Sequence, residues 1–518
     1  MTYIVYQTIR GKKYAYEAEG YWDPEKKQAR QRRKYLGAVD EETGEIIPKT
    51  SERSVATTKA YGHAYLFSKL IEESGLDKKL KSALKDDGAS ALALAMAKVI
   101  DFTSMRLVHH LMEDTAIAEA SKASASFTSQ NISDILVRLA RDQEGMKRFY
   151  ASLIQYDEEV LIYDITSVGS QSKGINWLEY GDDYRKLKLP QVNLGLVVNI
   201  DRKIPLYCKL YPGSINDVST LRNLVAEVRD LGVKEALFVL DRGFYSAANV
   251  EELLEQHIDF VMPVPFSNGI GTGAVEENVA ELMSSQNAKR FGKDIYHVLE
   301  KDVFIADRKV RAYVMFNKKR EGEEYASFFN RLMDIETALE GARPKKGRLQ
   351  KKLEEVAAEQ ARYFILSEVD GRIHLERNQT AIAEAMAYFG RMVLISPAPL
   401  KWDDALAIYK ERDLVEKFYD QLKNDLDFDT LRVHRDETLQ GMAFVFFLAL
   451  ALRALLKEKA RAAGLLEKSS LEDILRELSK IRAVQIGQTW TLSEIGAKQR
   501  TMLQKMGIAV PLRAGLVT

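Results

Sequence analysis

Two aspartates each close a run of apolar residues, and they are the first candidates for chemistry in this sequence. Asp164 follows residues 160–163, and Asp241 follows residues 236–240. A carboxylate at the end of a buried strand must be hydrogen-bonded, ion-paired or bound to a metal ion, because an isolated buried charge is costly. A single acid in such a place is usually a turn or capping residue. Two of them, among alternating strands and helices, predict a pair of carboxylates at one edge of a sheet.

A third acid lies on a helix that the sequence predicts from about Asp403 onward. At 100° per residue, four polar residues fall within about 60° of arc on one face of that helix: Tyr409, Arg412, Glu416 and Lys423. The opposite face is apolar, so one side would pack on a core while the other presents these groups. The alternative is an ordinary i,i+4 ion pair between Arg412 and Glu416 on a solvated face, which would contribute about 0.2–0.5 kcal/mol.

These three acids together form a set of hard oxygen ligands. Mg²⁺ prefers such ligands, and Mn²⁺ is able to substitute for it. Two ions about 3.5–4 Å apart can activate an attacking oxygen and stabilise the leaving oxygen in a phosphodiester displacement. We therefore expect the acids to bind metal, with two ions as the expected number. Arg412 and Lys423 would then hold phosphates, and Tyr409 would orient the strand.

Composition limits the class of protein. Lys+Arg and Asp+Glu both number 75 in 518 residues, so a uniformly basic nucleic-acid coat is excluded, whereas local segregation of charge is not. The single cysteine, Cys208, can form neither an internal disulfide nor a cysteine-rich zinc site, which fits a reducing compartment. We expect no signal peptide, because the chain becomes polar within its first residues. The longest apolar stretch, residues 442–451, is too short to span a bilayer and predicts a buried core helix. We expect a cytoplasmic protein without a membrane partner.

Positive charge is concentrated in two segments of the chain. The first lies in a region that alternates like short strands, and it contains Arg30, Arg32, Arg33 and Lys34. The second, residues 343–352, carries six positive charges and no acid, and it contains Lys345, Lys346 and Arg348. We interpret both segments as contacts to DNA phosphates, and a solvated edge is the alternative.

Hydrophobic periodicity predicts a multidomain α/β protein with a mixed-sheet catalytic core. A strand-rich basic region, 1–58, precedes a helical candidate DNA-binding domain, 59–155. The catalytic core occupies 156–265 and 392–457, and a β-rich insertion domain, 266–391, interrupts it. The C-terminal region, 458–518, is expected to be helical and is a candidate dimerisation surface.

At the residues that carry this chemistry, the sequence resembles bacterial insertion-sequence transposases of the DDE type. It is similar to the branch marked by a Tyr-x2-Arg-x3-Glu-x6-Lys (YREK) signature, which residues 409–423 match at every marked position. The segments 163–167 and 240–244, around Asp164 and Asp241, resemble the two aspartate blocks of that family. The long interval between the second and third acids resembles the inserted domain of the branch.

The resemblance implies an RNase H-like core and metal-dependent cleavage of double-stranded DNA at transposon ends. Water would be the first nucleophile, and the freed 3′-OH ends would be joined to target DNA. A homodimer would hold two ends together, and Arg242, beside the second acid, would join the DNA contacts. Relatives can stack a tryptophan of the insertion on a flipped base, but residues 266–391 contain none, so the sequence leaves a hairpin step open.

Two other functions are compatible with the sequence. One is a domesticated DNA-binding protein that keeps the fold without cleavage, and the other is an RNase H-like nuclease that cuts without joining strands. The glycine-rich segment 268–274 imitates a dinucleotide-binding fingerprint, but prolines interrupt the preceding strand and no βαβ unit surrounds the segment. We interpret it as a loop and expect no nucleotide cofactor.

Overall fold

The structure is a computed structural model of the chain. It describes residues 2–514 apart from 10–11, 24–26, 41–43, 49–56, 102–103, 155–157, 182–188, 216, 234, 268, 306, 340–357, 370–371, 429–430 and 432.

The N-terminal unit is an antiparallel sheet in the order β1-β2-β3-β4. Its strands are β1 (Thr2–Ile9), β2 (Lys12–Asp23), β3 (Gln28–Val39) and β4 (Ile46–Pro48). Aromatic and β-branched residues alternate with polar ones here, which favours extended chain. Most described side chains of β1 and of the outer halves of β2 and β3 are exposed on both faces of the sheet.

A helical region follows the short strand β5 (Thr58–Ala60). Its helices are α1 (Gly62–Ser74), α2 (Leu76–Ile100), α3 (Val108–Asp114), α4 (Ile117–Ser121), α5 (Ser129–Arg141) and α6 (Gln143–Leu153). Apolar residues at three- and four-residue spacing give these helices a buried side. The Thr128 side chain accepts a hydrogen bond from the Asn131 amide at 3.3 Å and so caps the start of α5.

A nine-stranded mixed sheet forms the centre of the protein. Its strands are β6 (Glu158–Gly169), β7 (Gln191–Asn199), β8 (Ile204–Pro212), β9 (Glu235–Leu240), β10 (Asp259–Pro263), β11 (Ala288–Phe291), β12 (Asp294–Ile305), β13 (Arg308–Asn317) and β16 (Arg391–Ser396). They lie in the order β11-β12-β13-β16-β10-β9-β6-β7-β8. β6, β9 and β10 are parallel, and the other neighbouring pairs are antiparallel.

Helices connect these strands. They are α7 (Asp217–Asp230), α8 (Ala247–Glu255), α9 (Gly269–Glu276), α10 (Val279–Leu282), α11 (Lys318–Leu339), α12 (Gln379–Met386), α13 (Trp402–Lys410) and α14 (Asp413–Asp420). The glycine-rich segment that the sequence analysis interprets as a loop thus forms α9 instead.

The structure differs from the prediction of one separate insertion domain over 266–391. The hairpin of β12 and β13 extends the central sheet, because β13 pairs with β16 along its length. The part from α11 to α12, including the hairpin of β14 (Phe364–Val369) and β15 (Arg372–Arg377), surrounds a small core of its own. That core contains Phe328, Leu332, Ile335, Leu339, Tyr363, Phe364 and Ile382.

The longest apolar stretch forms α15 (Asp436–Ala462). Among the residues that the structure describes, this is the one helix long and apolar enough to cross a membrane by length and composition. However, 89% of its apolar window is buried, where it packs against α2, α5 and β8. The burial is that of a core helix, as the sequence predicts.

The C-terminal region also differs from its prediction, because it is not wholly helical. Between α16 (Leu471–Leu478) and α17 (Ala497–Lys505) lies a hairpin of β17 (Arg482–Ile486) and β18 (Thr489–Leu492). The two-residue turn of this hairpin contains Gly487 at φ 63°, a conformation that glycine adopts without steric cost. β17 also pairs with β5, so the C-terminal region packs on the helical region.

Close packing of α15 against α5 generates a stability prediction. A Cβ on Gly441 would lie 2.0 Å from the carbonyl oxygen of Leu136 in α5. We predict that Gly441→Ala lowers the free energy of unfolding by about 1–3 kcal/mol or more, measured by urea or thermal denaturation. The control is Gly322→Ala in α11, where an added Cβ meets nothing within 4 Å and stability should be unchanged or slightly higher. Equal stability of Gly441→Ala and wild type would contradict this crossing.

Candidate active site

Asp164 and Asp241 lie next to one another at one edge of the parallel part of the sheet. The register of β6 and β9 pairs Tyr163 with Leu240, the residues directly before the two aspartates. Neighbouring strands are about 4.8 Å apart, and laterally paired side chains point to the same face. The two carboxylates therefore share one face. Asp164 is not a turn residue, because β6 continues past it to Gly169 in register with β7.

Asp241, by contrast, does cap a turn. Its Oδ1 accepts a hydrogen bond from the Arg242 amide at 2.6 Å, at the start of a short 3₁₀ turn, Arg242–Phe244. Phe244 is fully buried, and its ring lies 5.1 Å from that of Tyr163 on the other face of β6. This apolar anchor fixes the turn, and the turn fixes the direction of the carboxylate.

The segment that carries Glu416 is not the single long helix that the sequence predicts. α13 ends at Lys410, α14 begins at Asp413, and a π-helical turn, Gln421–Asp425, follows α14. At the junction the amide of Arg412 bonds to the carbonyl of Tyr409 at 3.1 Å, a three-residue step that tightens the chain. Helical-wheel angles cannot be carried across such a break.

The Arg412 guanidinium joins the second and third acids. Its Nη1 lies 2.7 Å from Oδ1 of Asp241, and its Nη2 lies 2.7 Å from Oε1 of Glu416. Burial acts to lower the pKa of Arg412, but Asp241 and Glu416 act to raise it, and the net result lies above the usual value. The i,i+4 ion pair that was the alternative interpretation of Arg412 and Glu416 exists, and it lies beside Asp241 at the end of β9.

Side chains on the inner face of α14 position this arrangement. Val415 and Phe418 are buried in the core. The Tyr419 hydroxyl donates to the carbonyl oxygen of Asp164, and it also lies 3.2 Å from the carbonyl oxygen of Leu194 in β7. Sequence reasoning missed Tyr419. The sequence feature that could have identified it is a tyrosine at the border of the apolar helix face, because a buried hydroxyl needs a hydrogen-bond partner.

Lys423 does not extend the row formed by Arg412 and Glu416. It lies in the π-helical turn, and its Nζ donates to Thr166 Oγ1 in β6 at 2.6 Å. Thr166 is two residues after Asp164, so the two side chains share a face of the strand. The structure thus places the ammonium group close to the first acid's strand, and Thr166 is a second residue that the sequence analysis did not identify.

A buried arginine anchors the end of this segment. Arg453 of α15 is 3% exposed, and its Nη2 contacts Asp425 at 2.6 Å and Glu472 of α16 at 3.0 Å. Burial raises the pKa of Asp425, and Arg453 lowers it in part. This pairing connects the π-helical turn to the C-terminal region. Its sequence signal is the one charged residue that interrupts the apolar run of α15.

Tyr409 lies in a basic environment on the other side of Arg412. Burial raises the pKa of Tyr409, whereas Arg412, Arg320 and Arg242 lower it in part. The Arg412 guanidinium lies 5.9 Å from the centre of the Tyr409 ring. Arg320, which pairs with Glu324 at 2.7 Å, is a cation of this neighbourhood that sequence reasoning did not find.

The acids fit a divalent ion by donor chemistry, because carboxylate oxygens are the ligands that Mg²⁺ and Mn²⁺ prefer. As the side chains stand, however, no group of three or more His, Cys, Asp or Glu residues in the described parts of the chain is arranged as a metal site. Arg412 binds two of the three acids. The guanidinium therefore competes with an ion for Oδ1 of Asp241 and Oε1 of Glu416.

The remaining predicted DNA contacts lie elsewhere. Arg30, Arg32, Arg33 and Lys34 are exposed on β3 of the N-terminal sheet. Lys345, Lys346 and Arg348 lie outside the described residues.

The aspartates on β6 and β9, with the glutamate of α14, occur in a segment that matches a known family. Residues 155–452, more than half of the chain, match the transposase DDE domain. The chain therefore belongs to the DDE transposase family, whose members are DNA-cleaving enzymes that use divalent metal ions. No curated protein matches the chain. Among solved structures, it is similar to a piggyBac transposase synaptic complex with hairpin DNA, at 12% identity and a TM-score of 0.37, over 80% of this chain and 79% of that one.

The Arg412 bridge predicts a specific effect on metal binding. We expect Arg412→Met to bind Mn²⁺ several-fold more tightly than wild type in the absence of DNA, because the guanidinium no longer competes for Asp241 and Glu416. Electron paramagnetic resonance titration of free Mn²⁺ measures this. Arg320→Met removes a nearby cation that contacts neither acid, and its affinity should stay close to wild type. Weaker Mn²⁺ binding by Arg412→Met than by wild type would refute the competition.

The Arg453 cluster predicts a loss of stability that can be reversed. Asp425→Asn combined with Glu472→Gln leaves a buried guanidinium without a carboxylate, and we expect this to cost about 3–5 kcal/mol of unfolding free energy. Adding Arg453→Met should restore much of the loss, because no buried charge remains. Chemical denaturation measures both changes. A double variant as stable as wild type would show that the ion pairs do not hold this region.

Proposed function

We propose that the protein is an insertion-sequence transposase of the YREK branch that binds the ends of its own element, cleaves there with water, and joins the freed 3′-OH ends to target DNA. The observation that carries the proposal is the convergence of Asp164, Asp241 and Glu416, with Arg412 between the last two, inside the matched family segment. Membership of the family does not by itself show that three acids from distant parts of the chain come together.

The strand order supports an RNase H-like assignment for the catalytic core. β8, β7 and β6 are successive antiparallel neighbours, and β9 and β10 continue the sheet parallel to β6. Such a core has one acid on its first strand and a second at the end of its fourth strand. β6 and β9 occupy those two positions here.

We propose that Asp164, Asp241 and Glu416 hold Mg²⁺, with Mn²⁺ able to substitute, and that two ions bind. Ions held there supply a polarised water for attack and charge stabilisation for the leaving oxygen. The residues of the chain do the positioning. The turn at Arg242–Phe244 fixes Asp241, Tyr419 fixes α14 against β6, and Arg453 fixes the segment that follows.

The cations around the acids are the proposed phosphate contacts. A guanidinium can exchange a carboxylate for a phosphate with little loss of hydrogen bonding. Both are oxyanions, and both accept hydrogen bonds from its fork of N–H donors. Arg412 is half-buried between the acids and Tyr409, so a phosphate reaching it would also reach the acids. Lys423 and Arg242 would contact the same backbone. The segments with Arg30 and Lys345 are proposed to contact DNA outside the active site.

We further propose that the protein acts as a homodimer in the cytoplasm, because two element ends must be held together for joining. No residue of the inserted segment is assigned to a flipped base. Trp402, which directly precedes the acid-bearing segment, packs among Phe291 and Tyr296 in a small core rather than facing the acids.

The test is cleavage and joining by purified protein on a plasmid that carries the gene with its flanking DNA. We predict Mg²⁺-dependent cleavage, lost on chelation, and a decrease of about 10²–10³-fold in rate for Asp241→Asn and for Glu416→Gln. Glu411→Gln changes an exposed acid at the helix junction and should cleave like wild type.

Three outcomes are informative beyond these rates. Cleavage without joining would identify a nuclease, and binding without cleavage would identify an inactive DNA-binding protein. Wild-type cleavage by Asp241→Asn would rule out the proposed metal site.

A further inference from the structure

Beyond Glu19, where the pairing of β1 with β2 ends, the β2–β3 hairpin continues as two strands, whereas β1 still flanks the rows of Arg32 and Arg33. We call residues 19–22 and 28–34 the outer ribbon. Its described side chains are all exposed, and at its outer end Trp22 and Tyr21 are 64% and 47% exposed. Tyr21 and Trp22 are consecutive strand residues, so each face of the outer end carries one exposed aromatic ring.

The register assigns the cations of the ribbon to both faces. Arg30 and Arg32 pair with Tyr21 and Glu19, and they share one face because strand residues two apart point the same way. Arg33 pairs with Ala18 and lies on the opposite face. These cations are close together in the sequence, but alternation along β3 separates them onto two faces.

Acidic residues partly neutralise the positive charge on the first face only. Glu19 is directly across from Arg32, and Glu17 is directly across from Lys34. On the second face, Arg33 donates to Gln31 at 3.1 Å, and Gln31 in turn donates to Tyr3 of β1. That face presents a positioned guanidinium with neutral neighbours.

A second copy of the chain is a poor partner for this shape. A flat protein surface would cover one face and leave the cations and aromatic ring of the other in water. A groove with two negatively charged walls would meet both faces at once. Double-stranded DNA has such a groove: the major groove is about 12 Å wide and admits a two-stranded β-ribbon, whereas the minor groove is about 6 Å wide.

We propose that the outer ribbon enters the major groove of double-stranded DNA with one face against each wall. Arg32 and Arg33 contact phosphates on opposite walls, and Trp22 reaches the base edges at the floor. The inference rests on the proposed function, because it assigns the ribbon to the DNA of the transposase. It specifies which groove the Arg30 segment enters and which of its faces contacts each wall.

The experiment measures binding of the full chain to a labelled duplex of arbitrary sequence over a range of salt concentrations. We predict that Arg32→Ala and Arg33→Ala each reduce the slope of log affinity against log salt by about 1, because each removes one phosphate contact. Trp22→Ala should weaken binding several-fold without a change of slope. The matched control is Lys13→Ala, which removes a cation of the same sheet outside the ribbon and should leave the slope unchanged.

A gain of affinity separates these effects from misfolding. Glu19→Gln removes the acid across from Arg32, so we predict several-fold tighter binding than wild type. Competition by methyl green, which occupies the major groove, should displace the wild-type protein, whereas the minor-groove ligand netropsin should not.

Several results would overturn the proposal. They are an effect of only one of the two arginine variants, displacement by netropsin alone, and a changed oligomeric state of Trp22→Ala with unchanged DNA binding. Failure of the proposed function looks different, because wild type would then bind DNA without cleaving it, cleave without joining, or do neither. If wild type cleaves and every ribbon variant binds DNA like wild type, the ribbon inference alone is wrong.

Discussion

The contact of one guanidinium with two carboxylates is the interaction on which the rest of the site depends. Arg412 holds Asp241, from the end of β9, and Glu416, from α14, at 2.7 Å each. Without a cation or an ion between them, these like charges in a partly buried place would repel one another. The bridge therefore keeps the acids together, and it also opposes ion binding until something else engages the arginine. A DNA phosphate is the natural competitor, because guanidinium groups bind carboxylate and phosphate by the same fork of donors.

The surrounding structure limits how far this arrangement can relax. Parallel pairing of β6 and β9 fixes the two aspartates relative to each other, and buried Phe244 locks the turn after the second. Tyr419 holds α14 to β6, while Arg453 holds the following π-helical turn to α16. The long side chains of Arg412 and Glu416 lie on this frame and can exchange partners without a movement of the backbone. The fold thus keeps the backbone of the site rigid and confines the exchange to side chains.

The sequence is most informative about the candidate site where a charged residue directly follows or interrupts a segment that must be buried. The presence of two acids, each after an apolar run, singles out Asp164 and Asp241, and the signature spacing singles out Glu416. The break at Arg412 and the π-helical turn could not be predicted, because the residues there are ordinary helix formers and the break follows from packing on the sheet. The same holds for β12 and β13, whose pairing with β16 depends on contacts between distant parts of the chain. Strand register also accounts for part of the zero net charge. Lys34 and Arg32 lie directly across from Glu17 and Glu19, so these opposite charges balance within a single sheet.

The most direct test is the position of the ion when DNA is bound. Anomalous diffraction from crystals of the protein with Mn²⁺ and duplex DNA locates both the metal and the arginine. We predict Mn²⁺ bound by Asp164, Asp241 and Glu416, with Arg412 moved from at least one acid onto a phosphate. Mn²⁺ bound elsewhere, or bound by all three acids while Arg412 still contacts both Asp241 and Glu416, would contradict it.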